Sequence, residues 1–430
     1  IAIADDVGLS SSQNEQDSRY WGRFAHVPVL EPADSQEAYA MTLYGYELSE
    51  KFQVPVILRM TTRINHVKSL VTVGERSAHA GAGFRKEPGR FVMVPGNAGK
   101  RIPLMFARDI KLREHAETSG LNFIEDGPDR RVGFIASGPA YMHVKESFPD
   151  APVLKLGFSC PLPFEKCREL AAMVDQVVVV EEVEPLVETE LKAQGVKVIG
   201  KEILPLQGEL APNVLRPAVA RLLGETVPEV RSTAPMTVFP RPPTMCVACP
   251  HLGVYYTLSQ VRNLTISGDI GCYTLGAGHP WNALDTCVSM GASMGMALGL
   301  DKGRGEADKD KRIVAVIGDS TFLHMGMQGL LDMVYNKGNV TVLLLDNRAV
   351  GMTGGQDNPG NGRDIYGEDA PRVDFARLVA ALGVKEERIH TVNPYELPVL
   401  FKTIRDEVKV PEVSVIITDQ PCVLIKDYHK

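Results

Sequence analysis

Apolar runs of strand length alternate along the chain with segments of helical spacing. Unbroken apolar runs predict buried strands at residues 177–180, 312–317 and 340–345. From residue 34 onward, Ala38, Met41, Tyr44 and Leu48 fall on one helical face, and Asp34 and Glu37 have the spacing of a capping box. The same patterns predict further strands at 1–6, 54–60, 132–136, 153–156 and 196–199, and helices at 185–193 and 327–335. Alternating strands and helices predict an α/β protein with several doubly wound parallel-sheet domains.

Proline and glycine divide this pattern into five segments. We expect an α/β domain at 1–80, a connecting segment at 81–130, a second α/β domain at 131–225, a linker at 226–243 and a third domain at 244–430. In the connecting segment, Pro88, Pro95, Pro103 and Pro128 predict turns. Four prolines between residues 232 and 243 favour an extended linker. The chain begins with Ile1 in a strand that has nothing before it, so we expect that a preceding part of the first domain is missing.

Composition and charge exclude several classes of protein. No apolar run approaches the roughly 18 residues that a membrane span requires. The formal net charge is -7 and no basic block interrupts the chain, so we expect no nucleic-acid partner. Seven cysteines, an odd number, occur in a chain with no secretory leader. These features predict a protein of the cytoplasm that has no membrane partner.

Polar side chains follow two successive strands of the third domain. Asp319 comes directly after the strand at 312–317, and Asn347 follows the strand at 340–345. Parallel strands would bring both to the carboxyl edge of the sheet, where their oxygens and the carbonyl of Ala349 suit Mg²⁺ with a diphosphate. An aspartate at a strand end more often caps a helix. The small residues at 290–295 could let a helix approach the cofactor closely or could only pack that helix tightly against the sheet. The residues expected to contact the diphosphate and its cation are Gly318, Asp319, Ser320, Thr321, Asn347 and Ala349.

Four of the five cysteines in the third domain follow a suggestive order. Cys246 and Cys249 form a Cys-x-x-Cys pair, Cys272 follows after 22 residues, and Cys422 lies near the end. Such a set can bind zinc, bind an iron-sulfur cluster, or remain as inert thiols. We interpret Cys160 and Cys167, in the second domain, as small buried hydrophobic residues.

The cysteine order combined with the Gly-Asp-Ser and Asn motif resembles the 2-oxoacid:ferredoxin oxidoreductases, which depend on thiamine diphosphate. Within that family the chain is most similar to the large (alpha) subunit of the arylpyruvate-using members. The resembling stretches are residues 11–20, 248–251, 268–275, 318–322, 345–347 and 352–356. Ser320 departs from the family, which usually has a second glycine there, but both ligand positions are intact.

The resemblance implies a complete set of cofactors and partners. It implies thiamine diphosphate with Mg²⁺, a 4Fe-4S cluster on Cys246, Cys249, Cys272 and Cys422, and cofactor contacts from Gly271, Tyr273 and Thr274. It further implies coenzyme A as co-substrate, ferredoxin as electron acceptor, and a smaller beta subunit. The segment 1–80 would be the remainder of a pyrimidine-binding domain, and 131–225 a domain like the transketolase C-terminal domain. Family members carry a catalytic glutamate, expected before Ile1, and usually a ferredoxin-like module, expected beyond Lys430.

The implied reaction is the coenzyme A-dependent oxidative decarboxylation of a 2-oxoacid, an arylpyruvate such as indolepyruvate, to acyl-CoA and CO2. Arg19, with Gln13 and Asn14, is a candidate for the substrate carboxylate, although a loop that caps a helix is a close alternative. His251 and His324 are candidates for proton transfer, although structural histidines are more common. The alternatives are a non-oxidative thiamine-dependent decarboxylase or carboligase, with incidental or zinc-binding cysteines, and a non-catalytic scaffold subunit.

Overall fold

The computed structural model describes residues 1–10, 12–76, 83–227, 239, 241–306 and 310–425. The chain divides into two compact units, Ile1–Met236 and Thr237–Lys430. Most of the predicted linker at 226–243, namely residues 228–238 and 240, lies outside the described residues. None of the helices in these ranges combines the length and the apolar composition needed to cross a membrane.

The first unit contains two sheets. Its strands are β1 (Ala2–Asp5), β2 (Val29–Leu30), β3 (Ile57–Thr61), β4 (Phe123–Glu125), β5 (Gly133–Ser137), β6 (Val153–Leu156), β7 (Phe158–Cys160) and β8 (Val177–Val180). One sheet has the order β1-β3-β2-β7 and the other the order β4-β6-β5-β8. In each sheet the neighbours are parallel except for one antiparallel edge strand, β7 beside β2 and β4 beside β6. The α/β prediction is therefore confirmed here.

The helices of the first unit cover these sheets. They are α1 (Arg19–Ala25), α2 (Ser35–Phe52), α3 (Thr62–His66), α4 (Pro88–Phe91), α5 (Pro95–Thr118), α6 (Gly138–Ser147), α7 (Phe164–Met173), α8 (Leu186–Ala193) and α9 (Pro212–Leu222). The predicted cap of α2 is present, because Asp34 accepts a hydrogen bond from the Glu37 amide at 2.8 Å. The returning Glu37 carboxylate accepts from the Ala33 amide at 2.7 Å, one residue before the expected partner.

Three local predictions for the first unit need correction. Residues 196–199 do not form a strand; the segment makes a single bridge between Ile199 and Val178. Pro103 does not mark a turn, because it lies inside α5. Pro88 and Pro95 occupy the first turns of α4 and α5, where a missing amide proton leaves no hydrogen bond unmade. The predicted connecting segment therefore contains a helix of 24 residues.

The second unit is built on one parallel sheet of the order β10-β9-β11-β12-β14-β13. Its strands are β9 (Leu264–Gly268), β10 (Thr286–Cys287), β11 (Arg312–Gly318), β12 (Val340–Asp346), β13 (Ile389–Val392) and β14 (Ser414–Asp419). Its helices are α10 (His251–Gln260), α11 (Ala292–Gly303), α12 (Asp319–Thr321), α13 (Met327–Tyr335), α14 (Phe375–Ala381) and α15 (Leu397–Glu407). Two 3-10 helices lie at Cys272–Ala277 and Glu386–Arg388, and a π-helical turn at Phe322–Gly326 joins α12 to α13.

Both faces of this sheet are covered, which explains the unbroken apolar runs. On β11, Ile313 and Ile317 pack into the core on one face, and Val314 and Val316 into the core on the other. The predicted strands at 312–317 and 340–345 are confirmed as the parallel neighbours β11 and β12. Both strands end at the same edge of the sheet, where the chain continues into Asp319 and Asn347.

Candidate cofactor and cysteine site

Asp319 supplies a buried carboxylate at the carboxyl edge of the second unit's sheet. Its side chain is 2% exposed, and Oδ1 accepts the Ser320 amide proton at 2.7 Å. Oδ2 is buried and has no hydrogen bond of normal geometry from any described residue, although Asn358 lies close enough to stabilise its charge. Burial and the nearby charge of Asp346 raise the pKa of Asp319 to about 7. One carboxylate oxygen is therefore open to a cation.

Asn347 lies on the loop after β12 and is held from two sides. Its Oδ1 accepts the Ala349 amide proton at 3.3 Å, and its Nδ2 lies 3.3 Å from Nε2 of His251. Burial lowers the pKa of His251 to about 4, so the imidazole is neutral at pH 7 and accepts from the amide group. Arg348, between Asn347 and Ala349, has a left-handed φ of 60°, which turns the loop sharply. The predicted ligands Asn347 and Ala349 thus share one turn.

Tyr273 closes the site against the strand end. A Cβ on Gly318 would lie 2.6 Å from Cε1 of Tyr273, and a Cβ on Gly271 would lie 2.5 Å from the same atom. The Tyr273 hydroxyl donates to the Ile270 carbonyl at 2.9 Å and lies 3.5 Å from Oγ1 of Thr321. Glycine at 318 and 271 is therefore required by the ring, and Gly271 and Tyr273 are brought beside the start of α12.

Asp269 is a functional candidate that our sequence analysis did not identify. It is fully buried, and its carboxylate accepts amide protons from Gly291 at 2.8 Å and Ser293 at 3.1 Å. Its carbonyl accepts the hydroxyl proton of Thr274 at 2.7 Å. Asp269 thus joins the turn at 272–277 to the start of α11. The signal was a glycine-aspartate pair after an apolar strand, the same pattern as at Asp319.

The four proposed cluster cysteines lie near one another in the second unit. The Sγ atoms of Cys272 and Cys422 lie 3.5 and 3.7 Å from the point that a Cβ on Gly351 would occupy. The pKa of Cys249 is raised to about 11, mainly by burial and in part by the charges of Cys272, Cys246 and Cys422. All seven cysteines lie in the described residues, and none of them forms a disulfide bond. Among the described residues, no three histidine, cysteine or acidic side chains have the spacing of a site for a metal ion.

Backbone contacts connect the cysteines to one another and to the Asn347 loop. Ala248, inside the Cys-x-x-Cys loop, has a left-handed φ of 58°, and its carbonyl accepts the Tyr395 hydroxyl proton at 2.7 Å. The Cys422 amide donates to the backbone carbonyl of Asn347 at 2.9 Å. Because His251 follows Cys249 closely and contacts Asn347, the Cys-x-x-Cys loop and the loop at 347–349 lie next to each other.

The remaining candidates lie elsewhere in their units. Arg19, in the first unit, is fully buried, and its guanidinium donates to Asp17, to Glu181 at 2.5 Å and to the Glu184 carbonyl at 2.6 Å. These bonds occupy the donors that a substrate carboxylate would need, so the geometry makes Arg19 a structural ion-pair residue. Gln13 and Asn14 are exposed in the loop before α1, and His324 is exposed in the turn Phe322–Gly326.

Comparison with known proteins finds a family model that matches the second unit and relatives that match the whole chain. Residues 269–417 match the family model of the thiamine pyrophosphate enzyme C-terminal TPP binding domain. Over 99% of its length, the chain is 37% identical to the indolepyruvate oxidoreductase subunit IorA of Thermococcus kodakarensis and 38% identical to that of Methanothermobacter thermautotrophicus. It covers 71% of each of these relatives. The solved structure of a 2-oxoglutarate:ferredoxin oxidoreductase from Magnetococcus marinus aligns over 42% of this chain and 65% of the other chain. The sequence identity is 18% and the TM-score is 0.37, so the structural likeness is weak.

Proposed function

The chain belongs to the family of indolepyruvate oxidoreductase IorA subunits, and from this premise we propose that it catalyses the oxidative decarboxylation of an arylpyruvate such as indolepyruvate. The products are acyl-CoA and CO2, with coenzyme A as co-substrate. Electrons leave through a 4Fe-4S cluster to ferredoxin. The observation that carries the proposal is the adjacency of an unsatisfied Asp319 oxygen and four neighbouring cysteines at one sheet edge.

The residues at the Asp319 site fit Mg²⁺ and a diphosphate. Mg²⁺ prefers oxygen ligands and binds proteins through one or two carboxylates together with phosphate oxygens. Asp319 Oδ2 is buried without a partner among the described residues, and a charged oxygen in that position is costly unless a cation balances it. Asn347 and the carbonyl of Ala349 supply neutral oxygens from the next strand's loop. We therefore assign these three residues as the cation ligands.

His251 has a positioning role in this arrangement. The neutral imidazole accepts a hydrogen bond from the Asn347 amide group, which fixes the amide orientation and keeps Oδ1 on the opposite side. This contact explains a buried histidine next to the cysteine pair without requiring it to transfer a proton. Thiamine diphosphate, when bound, supplies the electron sink for decarboxylation.

The four cysteines fit an iron-sulfur cluster in their chemistry. Thiolates are the standard ligands of a 4Fe-4S cluster, and four from one unit complete its coordination. Cys249 and Cys422 are buried, Cys272 is half-buried and Cys246 is exposed, so the cluster would lie near the surface of the unit. A surface position favours electron transfer to a separate carrier such as ferredoxin.

The wider assignment follows the family. We propose that residues 1–80 are the remainder of a pyrimidine-binding domain, that 131–225 correspond to the transketolase C-terminal domain, and that 244–430 bind the cofactors. We further propose that the working enzyme contains a smaller beta subunit and operates in the reducing cytoplasm, where cysteines without disulfide bonds stay reduced.

The test is an anaerobic assay of the chain co-produced with its smaller subunit. Viologen reduction is measured with coenzyme A and a panel of arylpyruvates, branched 2-oxoacids, pyruvate and 2-oxoglutarate. We expect arylpyruvates to be preferred, about four iron atoms per chain, and an absorption band in the visible blue. Colourless protein that contains zinc, or aldehyde formation without viologen reduction, would refute the oxidoreductase proposal in favour of a non-oxidative enzyme.

Asp319→Asn tests the cation site within the same assay. The substitution keeps the size of the side chain and removes its charge, so we expect activity to fall by about a hundredfold or more with weaker thiamine diphosphate binding. Asp332→Asn, at an exposed position on α13 of the same unit, is the matched control and should retain activity. Unchanged activity in Asp319→Asn would mean that this unit only scaffolds a catalytic partner.

A further inference from the structure

The first unit contains a cavity of about 450 Å³ that the proposed reaction does not use. Val27 of its lining precedes β2, and Cys160 ends the antiparallel strand β7, where it pairs with Val29. The cavity therefore lies at the amino ends of the parallel strands in its sheet. Ligands of the proposed reaction are expected at the opposite, carboxyl ends of strands. A volume of this size is in the range of pockets for small organic molecules.

Most of the cavity wall is apolar. Helix α5 contributes Phe106 and Ile110, which are 52% and 58% exposed although they face a concave surface. The Phe106 ring packs edge-on against His26 at 5.8 Å between centroids, which holds it in the wall. The other apolar lining residues are Val27, Leu112, Pro161, Leu162, Phe164 and Leu186. This apolar surface would be removed from water by a ligand with a hydrophobic body.

The sulfur in the cavity wall is not a reactive group. Cys160 belongs to the lining, and burial raises the pKa of its thiol to about 12, so the thiol stays protonated at pH 7.

One guanidinium of the cavity lining lacks a partner among the described residues. His26 is paired with Asp109 at 2.5 Å, and Arg23 with Glu190 at 2.7 Å. Arg113 lines the same cavity and forms no hydrogen bond or ion pair within the described part of the chain. Its charge and that of Arg23 both reach Cys160, so the guanidinium lies near the thiol end of the cavity. An anionic group would complement the Arg113 guanidinium.

We propose that this cavity binds a small aromatic carboxylate, with the ring against Phe106 and Ile110 and the carboxylate at Arg113. The proposal does not depend on the reaction assigned to the cofactor site. Arg113 presents a planar guanidinium whose N–H groups match the two oxygens of a carboxylate. The site is a binding site without catalytic groups of its own.

Calorimetric titration of the full chain with phenylacetate tests the proposal, with 2-phenylethylamine and 2-phenylethanol as cationic and neutral probes. We expect phenylacetate to bind at least about tenfold more tightly than either analogue. Ile110→Glu and Ile110→Lys place opposite charges on an exposed part of the wall, where folding is not at risk. Ile110→Glu should weaken phenylacetate binding about tenfold or more, and Ile110→Lys should strengthen it.

Lys111→Glu is the matched control, because Lys111 is exposed on the same helix and does not line the cavity. It should change phenylacetate binding by less than about twofold. Asp319→Asn should leave binding unchanged, which separates this site from the cofactor site and from any failure of the proposed reaction. The proposal is overturned if phenylacetate does not bind, if the three probes bind equally, or if Lys111→Glu has the same effect as Ile110→Glu.

Discussion

Glu182 is a buried carboxylate whose charge should destabilise the first unit at neutral pH. Its side chain is 6% exposed, and it accepts one hydrogen bond, from the Leu210 amide at 3.1 Å. Burial is the main cause that raises the pKa of Glu182 to about 7, and the Leu210 hydrogen bond and Arg59 oppose the rise only in part. The neighbouring Arg59 guanidinium is shared with Asp5 and Glu31, so it does not balance Glu182 fully.

The size of the effect follows from the difference between the folded and unfolded states. The ordinary pKa is 4.5 and the folded value is about 7, so the folded state binds the proton more tightly. The contribution of Glu182 to the free energy of unfolding therefore decreases as the pH rises from about 4.5 to about 7, by about 3 kcal/mol in total. Glu182→Gln keeps an acceptor for the Leu210 amide and has no charge to bury. We expect the variant to be more stable than the parent by up to about 3 kcal/mol at pH 8 and nearly equal to it at pH 4.5.

Urea unfolding followed by circular dichroism at pH 4.5, 6 and 8 measures this difference. Glu169→Gln is the matched control, because Glu169 is an exposed glutamate of the same unit, and it should show no pH-dependent gain. A stability difference that is the same at all three pH values would show that Glu182 does not titrate in this range. A variant that is less stable than the parent at pH 8 would refute the reasoning.

Two further substitutions test the second unit. Gly318→Ala places a methyl group 2.6 Å from the Tyr273 ring, so we expect the free energy of unfolding, measured with heat or urea, to fall by about 1–3 kcal/mol. Gly295→Ala is the control, because nothing lies within 4 Å of its new methyl group, and it should not destabilise the protein. Tyr395→Phe removes the hydrogen bond to the Ala248 carbonyl. It should speed the loss of iron from the proposed cluster in air severalfold without changing the initial iron content. An unchanged rate would show that this bond does not hold the cysteine loop.

The parts of the fold that the sequence predicted are those that local pattern determines. β11 and β12 are buried on both faces, so their apolar runs are unbroken and their ends are sharp. One helical connection between them requires parallel pairing, and this pairing alone places Asp319 and Asn347 at one edge. The Asp34 cap of α2 was predictable for the same reason, since its partner Glu37 is three residues away.

The parts that were missed depend on residues far apart in the chain. Arg19 looked available for a substrate because its loop is polar, but its partner Glu181 is 162 positions away. β7 joins the first sheet beside β2 although it lies between strands of the second sheet in sequence, so no division of the chain at one point could describe both sheets. Pro103 was misinterpreted because a proline inside a long helix costs one backbone hydrogen bond, a loss that neighbouring turns can outweigh.

His251 shows how far apart sequence position and role can lie. Its place two residues after Cys249 made it a candidate for proton transfer beside the more common structural role, and the folded chain buries it against Asn347, 96 positions away. A buried neutral imidazole can accept a hydrogen bond from an amide and is a poor proton donor at pH 7, because protonation would require a charge in an apolar setting. The same residue follows one cysteine of the set and orients the side chain of Asn347, whose backbone carbonyl accepts the Cys422 amide proton. A substitution of His251 should therefore disturb both Asn347, the proposed cation ligand, and the cysteine set, which a proton-transfer role alone would not do.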